Sequence, residues 1–474
     1  MRILPYIIGV GVILGGCTVG PDFQSPRNTA ESFEWSVRRS KEAYSKVVED
    51  PVQSDWWRVF DDPTLSRLQE RVVHSNLDVR VAMARLKQSR ALRQSISSDA
   101  LPSIDMKGSY KRQRNTEEGM FDASGYGGRK NFNHSLVGFD ATWELDLWGR
   151  VRRELEAADA TVSVSESQLR GVLVSVQAEL AINYIRLRYE QQLETIIRQN
   201  IEVAEKNLNL TYQRFDSGVA TELDMAEAMA HISETEARLP DTEKRQTSFI
   251  NALSFLLGEK PQSLRAELKQ PVAVPMPSDI VPIGLASEIV RRRPDILQAE
   301  AQLHAATANI GVATADFYPH VTLNGSFGLE SLQLSNLGDW SSRNFSIGPS
   351  VSLPIFEGGR LKGILALREA QQQEAAITYR RTVLKAWEEV DNNLFSYQSE
   401  QRRNLRLNQA LLQNKRALKN AERQYKAGAI NFLDVLYMQR KLLSTQEMLV
   451  RSREETSITL IALYKALGGG WKKT

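Results

Sequence analysis

The sequence predicts an internally duplicated α+β membrane protein, with four strands per chain for a β-barrel shared among identical subunits and long helices for a coiled coil. Three observations predict it. The chain repeats itself. Each copy carries two strand-length segments that alternate apolar and polar side chains. Each copy also carries a proline-free stretch far longer than an ordinary globular helix.

The bulk composition narrows the class. The chain has 474 residues, is 42% hydrophobic and 25% charged, and has a mean hydropathy of −0.35. Its net charge of +3 comes from 60 basic and 57 acidic residues, a near-balance that argues against a nucleic-acid binder. No apolar run long enough for a membrane helix exists beyond the extreme N-terminus, so any membrane crossing must use β-strands. A single cysteine, Cys17, excludes an intrachain disulfide and a cysteine-based zinc site.

Residues 1–16 read as a signal peptide. Met1 and Arg2 open it, Ile3 to Leu14 is mostly apolar, and Leu14-Gly15-Gly16-Cys17 closes it. That ending resembles a lipoprotein lipobox. The resemblance implies that Cys17 becomes the first mature residue and carries the lipid, and Thr18 after it favours outer-membrane sorting. Each acyl CH₂ buried in the bilayer contributes about 0.8 kcal/mol, so several chains together hold firmly. Residues 17–64 then form an N-terminal anchor and wrapping segment.

The duplication is read from collinear matches. Leu77-Asp78 and Pro294-Asp295 lie 217 positions apart, as do Leu101-Pro102 and Tyr318-Pro319, and Gly108-Ser109-Tyr110 and Gly325-Ser326-Phe327. The offset then becomes 210: Trp148-Gly149-Arg150 matches Gly358-Gly359-Arg360, and Phe215-Asp216-Ser217-Gly218 matches Tyr425-Lys426-Ala427-Gly428. Leu223-Asp224 matches Leu433-Asp434 at the same offset. The change of offset places an insertion in the first copy between Tyr110 and Trp148, which suggests a loop tip. The copies span residues 65–258 and 285–468. Between them lies a linker, 259–284, with five prolines that make it an extended connector, and 469–474 is a tail.

Each copy opens with a helix, 65–98 or 285–316. The long helices follow the strands. Val151 to Ser217 contains one glycine and no proline, and Arg360 to Ala427 repeats this; each spans roughly 100 Å if continuous. Ile197, Ile201, Ala204, Leu208, Thr211 and Phe215 keep a heptad rhythm, and so do Leu407, Leu411, Asn414, Leu418, Ala421 and Tyr425. This is the seam of a coiled coil. Gly218 and Gly428 permit a chain reversal, so each copy ends in a helical hairpin.

The strands are expected at about 103–113, 134–145, 320–330 and 344–355. Val321, Leu323, Gly325, Phe327 and Leu329 alternate with Thr322, Asn324, Ser326, Gly328 and Glu330. Strands of about ten residues with one apolar and one polar face suit a membrane barrel. Four strands cannot close, open edges are not tolerated in lipid, and about eight strands is the practical minimum. Subunits must therefore pool strands; two chains would give eight and three would give twelve.

Several stretches together resemble the TolC-like outer-membrane factors, in their lipid-anchored NodT/OprM-type branch. They are Cys17-Thr18-Val19-Gly20-Pro21-Asp22-Phe23, Trp56-Trp57-Arg58-Val59-Phe60-Asp61-Asp62-Pro63, Trp143 to Arg150, Arg293-Pro294-Asp295-Ile296, and Leu353 to Arg360. The resemblance runs from Cys17 to about Leu467. It implies a homotrimer with a shared twelve-stranded β-barrel continued by a helical periplasmic tube, working with a periplasmic adaptor and an inner-membrane transporter. It implies export of small molecules without enzymatic activity or a cofactor. An outlet for protein secretion and a periplasmic coiled-coil structural lipoprotein are the alternative readings.

The resemblance also implies that the hairpin tips, Gly218 to Asp224 and Gly428 to Tyr437, close the periplasmic end. Leu433, Asp434, Asp224 and Tyr437 are the candidate aperture residues. Inward aspartates would make a negative ring; both could instead cap a helix start. Where relatives often carry Asp-Ala-Gln-Arg, this chain has Tyr437-Met438-Gln439-Arg440, so one aperture acid is missing. Gly149, Arg150, Gly358, Gly359 and Arg360 are expected to turn strand into helix. No His-Glu-x-x-His cluster exists among His74, His134, His231, His304 and His320. Arg291-Arg292-Arg293 reads as a solvated helix end, and Trp143 and Trp148 suit a membrane-interface belt or a subunit contact.

Overall fold

The computed structural model describes residues 18–26, 46–48, 50, 53–114, 131–278, 280–283 and 292–471. The signal segment, Cys17, the insertion loop 115–130, the beginning of the helix expected from 285 and the last three residues lie outside the described residues.

In chain order the elements are β1 (Lys46–Val48), a 3₁₀ turn (Trp56–Phe60), α1 (Pro63–Ser75), α2 (Leu77–Ser98), β2 (Ser103–Arg114), β3 (Asn131–Leu145) and α3 (Arg150–Asp216). They continue as α4 (Glu222–Glu236), α5 (Leu239–Leu256), α6 (Arg265–Leu268), β4 (Ile280–Pro282), α7 (Pro294–Ala315), β5 (His320–Ser331), β6 (Arg343–Ser352), α8 (Arg360–Lys426) and α9 (Phe432–Ala466). The long helices α3 and α8 have 67 residues each. The contacts divide the chain into two units, each assembled from pieces of both copies.

The first unit holds residues 18–26, 86–114, 131–165 and 298–379 of the described chain. Its centre is a four-stranded sheet in the order β2-β3-β5-β6, antiparallel throughout. Register sorts the side chains cleanly. Met106, Phe139, Phe327 and Phe345 stand opposite one another across all four strands, and so do Asp105, Asp140, Ser326 and Ser346 on the other face. Strand β6 ends at Ser352, short of the expected Ile355, and carries Pro349 within it. A proline is tolerated in a strand at the sheet edge, where β6 lies.

The N-terminal segment is packed into this unit. Val19 donates its N–H to the Trp148 carbonyl at 3.0 Å. Arg153 donates to the Val19 and Gly20 carbonyls and pairs with Asp22 at 2.6 Å. Phe23 stacks on His304 with ring centroids 4.3 Å apart.

The second unit is helical. Its core includes Leu65, Leu68, Leu180, Ile185, Leu253, Leu460 and Leu463, all fully buried. The 3₁₀ turn buries Trp56, Trp57 and Phe60, and Trp56 stacks on Tyr464. Asp62 accepts from the Leu65 N–H at 2.8 Å, capping α1 ahead of Pro63, and accepts from the Tyr184 hydroxyl at 2.7 Å. The stretch from Trp56 to Pro63 is thus one device: aromatic plug, cap and helix-starting proline.

Four expectations are corrected. The first helix is two, because Asn76 ends α1 and restarts the chain as α2: its amide accepts from the Val79 N–H and donates to the Leu256 carbonyl. The returning arm of the first hairpin is broken at Ala237–Arg238, whereas α9 is continuous. Pro240 is the cause; it stands where the second copy has Val450, and a proline cannot donate into the preceding turn. The linker is not wholly extended, since α6 forms in it, while its β4 stretch is extended and pairs in parallel with β1. Finally, Arg293 is no solvated helix end. It is buried, donates to the Ala466 carbonyl at 2.8 Å, and pairs with Asp295 and Glu389, each at 2.7 Å.

Arg293→Met is expected to cost about 2–3 kcal/mol, since it removes charge-assisted bonds and leaves a buried carbonyl unpaired. A fall in the urea or thermal unfolding midpoint is the measurement.

Candidate functional site

The sheet is the first half of the site. Its apolar face leaves Ile104, Met106, Phe139, Phe327, Phe345, Ile347 and Val351 exposed. Aqueous exposure of so many large apolar side chains on one face marks a surface made for lipid or a partner. The opposite face is polar and internally paired. Lys107 meets Asp140 at 2.9 Å, and Glu330 accepts from Asn344 and bonds His134, each at 2.7 Å. Strands β2 and β6 are both edges, so two rows of backbone groups have no strand partner among the described residues.

The turns from strand to helix occur at equivalent places. Gly149 takes φ +84°, and a Cβ there would approach Thr18 Cγ2 to 2.7 Å, so conformation and space both require glycine. Arg150, the first residue of α3, forks onto Glu144 with two bonds of 2.8 Å. In the second copy Gly358 and Gly359 have φ +57° and +88°, and Arg360 pairs with Glu357 at 2.7 Å.

The hairpin tips are the second half. Helix α3 closes with Gly218 at φ +72°, with the Val219 N–H returning to the Arg214 carbonyl at 2.8 Å. Helix α8 closes likewise, with Gly428 at φ +76° and the Ala429 N–H on the Gln424 carbonyl at 2.9 Å. Both are Schellman closures. The two tips lock together: Arg214 stacks on Tyr425 at 4.2 Å and donates to the Lys426 carbonyl. Beneath them Leu418, Ala421, Tyr425, Phe432, Val435 and Leu436 form a buried cluster with Ala228. Most of the heptad seam is buried, but Phe215 is exposed where its mate Tyr425 is covered.

Asp224 and Asp434 each take the N3 position of a capping box. Asp224 accepts from the Thr221 N–H at 2.9 Å, and Asp434 accepts from the Asn431 N–H at 3.3 Å. Leu433 and Tyr437, one turn apart on α9, are 44% and 60% exposed and so share an unburied stripe. Leu223, the repeat mate of Leu433, is exposed as well.

A buried carboxylate pair went unnoticed in the sequence. Burial pushes Glu190 on α3 up to about 7, against the pull of Arg245. Burial pushes Glu454 on α9 up to about 7 also, with Glu455 and Glu190 adding to it. No motif marks either residue; their carboxylates are conspicuous only once α3 and α9 are packed. Among the described residues no cluster could hold a metal ion, and no helix is long and apolar enough to cross a membrane.

A sheet with one lipid-compatible face and two free edges, continued in sequence by paired helical hairpins, defines a subunit of a membrane channel. The chain belongs to the outer membrane efflux protein family, whose model matches residues 68–259 and 285–469. The two matched blocks fall on the two copies. It is similar to the toluene efflux pump outer membrane protein TtgC of Pseudomonas putida, with 32% identity over 461 residues, 97% of this chain and 94% of that one. It is also similar to the probable outer membrane lipoprotein SilC of Salmonella typhimurium, with 30% identity over 97% of each chain. Among solved structures, that of the outer-membrane channel OprN has a TM-score of 0.88 and 34% identity, covering 96% of this chain and all of the other. The chain is therefore an outer-membrane efflux channel protein.

Two outcomes follow from the tips and the carboxylates. Asp224→Ala and Asp434→Ala are each expected to cost about 1 kcal/mol of cap energy, visible as faster amide exchange in the first turns of α4 and α9; Asn at either position retains an acceptor and costs less. Glu190 and Glu454 hold their protons to higher pH in the folded chain than in the unfolded one, where glutamate titrates near about 4.3. Their contribution is present below that pH and is lost as pH rises through about 7. Glu190→Gln is expected to raise the thermal midpoint at pH above 7 and to leave it little changed in acid.

Proposed function

We propose that this chain is the passive exit duct of a tripartite efflux system. Three copies pool their sheets into a twelve-stranded β-barrel in the outer membrane, and their helices line up as a coiled-coil tube through the periplasm. An inner-membrane transporter supplies the energy and a periplasmic adaptor joins the two. The protein performs no reaction and needs no cofactor. The observation that carries this reading is the four-stranded sheet with one exposed apolar face and two free edges. In hydrocarbon an unpaired edge costs several kcal/mol for every lost hydrogen bond, so the edges must meet copies of each other. The strand directions allow it: with four strands alternating, β6 of one chain runs antiparallel to β2 of the next.

Cys17 carries the lipid in this reading. Two observations support it: Thr18 is seated against Gly149 where β3 gives way to α3, and SilC is named a lipoprotein. Leu433 and Tyr437 narrow the periplasmic opening. Asp434 and Asp224 hold the helix starts behind them while placing a ring of carboxylates near the path, which would disfavour anions.

The purified full-length protein in detergent should have the mass of a trimer and change gel mobility on heating. A monodisperse monomer of 53.4 kDa or less would overturn the duct reading. In planar bilayers, Leu433→Ser combined with Tyr437→Ala should raise single-channel conductance, and Asp434→Asn should weaken cation preference. Unchanged conductance and selectivity would remove these residues from the aperture.

A further inference from the structure

The apolar face of the sheet changes character along the strands. From the helix-proximal end its cross-strand rows are Leu145 with Val321 and Val351; Trp143 with Leu323 and Pro349; and Ala141 with Ile104, Gly325 and Ile347. The Phe139 and Val137 rows follow. Five rows, two residues apart at about 3.4 Å per residue and tilted about 40°, span roughly 21 Å from first to last, close to the height of an outer-membrane apolar girdle.

Toward its far end the same face turns basic. Arg112 stands opposite Asn133, and Arg114 opposite Asn131; on β6, Arg343 ends the Val137 row opposite Leu329. All three arginines are exposed. No acidic residue shares this end of the face among the described strand residues, and no described ion pair engages Arg112 or Arg114. Arg343 is held over the exposed Trp340 ring at 4.5 Å and donates to the Trp340 carbonyl. The polar face behaves oppositely, with Lys107 and His134 matched by Asp140 and Glu330. On the lipid-compatible face, then, no carboxylate among the described strand residues meets the three arginines, which leaves them open to an anion from outside the sheet.

We propose that Arg112, Arg114 and Arg343 form a collar that binds the phosphorylated headgroups of outer-leaflet glycolipids. This rests on the channel reading, in which the long helices lie in the periplasm and the opposite ends of the strands reach the outer surface. The arginines sit toward those opposite ends, on the face turned to lipid: Arg343 in the last row of the band, and Arg112 and Arg114 past the row of Tyr110, Ser135 and Ser331. Guanidinium forks bind phosphate bidentately, which suits arginine better than lysine at such a position. Because β2 and β6 are the two edges, closing the wall brings Arg343 of one subunit beside the strand that carries Arg112 and Arg114 of the next. The collar is complete only at the seams.

The test uses the full-length detergent-solubilised oligomer, titrated with diphosphoryl lipid A and read by native mass spectrometry. The wild type should bind diphosphoryl lipid A in preference to its fully dephosphorylated form, and excess inorganic phosphate should not displace it. Substituting Arg112→Ser, Arg114→Ser and Arg343→Ser should weaken binding by about fivefold for each arginine removed, while Lys107→Gln on the opposite face should leave it unchanged. Equal binding of both lipids by the wild type, displacement by free phosphate, or unaltered binding by the triple serine variant would overturn the collar. Should the serine variant fail to assemble, the wild-type lipid comparison and a triple lysine variant, expected to retain partial binding, decide the matter. Planar-bilayer conductance of the same wild-type preparation separates the two readings: a conducting oligomer without phosphate preference sinks the collar alone, and a preparation that neither oligomerises nor conducts sinks the channel.

Discussion

The structure depends on a rule about peptide groups: within hydrocarbon each N–H and C=O must find a partner inside protein. A helix meets the rule by itself, a strand only through neighbours. Among the described residues no helix is long and apolar enough to cross, and the elements with a lipid-compatible face are four strands in an open sheet. The remaining architecture answers to that. Side chains are sorted onto two faces by strict register, because a slip of one residue would bury Asp140 in lipid and hand Phe139 to water. Among the described residues the edges β2 and β6 have no strand partner, which leaves them available for closure with another copy in the proposed barrel.

Much of this was legible in the sequence because alternation with period two and heptads with period seven are strong, long-range signals. The strands Ser103–Arg114, Asn131–Leu145, His320–Ser331 and Arg343–Ser352 lie where side chains alternate, and α3 and α8 lie where proline is absent. Local exceptions were harder. Asn76 looks like any polar helix residue until its amide is seen capping α2 and bonding Leu256. Arg293 sits in a run of three arginines, and nothing in that run distinguishes the buried member. Its role depends on Glu389 and Ala466, which lie far along the chain. The aspartates of the tips were legible as residues but not as roles, since a capping box and a pore ring both want a carboxylate near a helix start.

Duplication gives the two copies the same parts without making them equivalent. Both hairpins close with a left-handed glycine and reopen with a capping box. The first then breaks at Pro240, while the second runs uninterrupted through Val450. One returning arm therefore has a joint near its middle and the other is a single rod. Any rearrangement of the tips would bend the first copy more readily than the second, while the lock between Arg214 and Tyr425 ties the copies through their unbroken outgoing helices, α3 and α8.

The seat of Thr18 on Gly149 has a mechanical corollary. Covalent geometry keeps Cys17 within one peptide of Thr18. A fatty acyl group on that cysteine would have almost no leash: it would moor beside the strand ends and could not wander around the wall. Such a tether would act as a depth stop as well as a hold, limiting how far the strands could ride up or down in the bilayer.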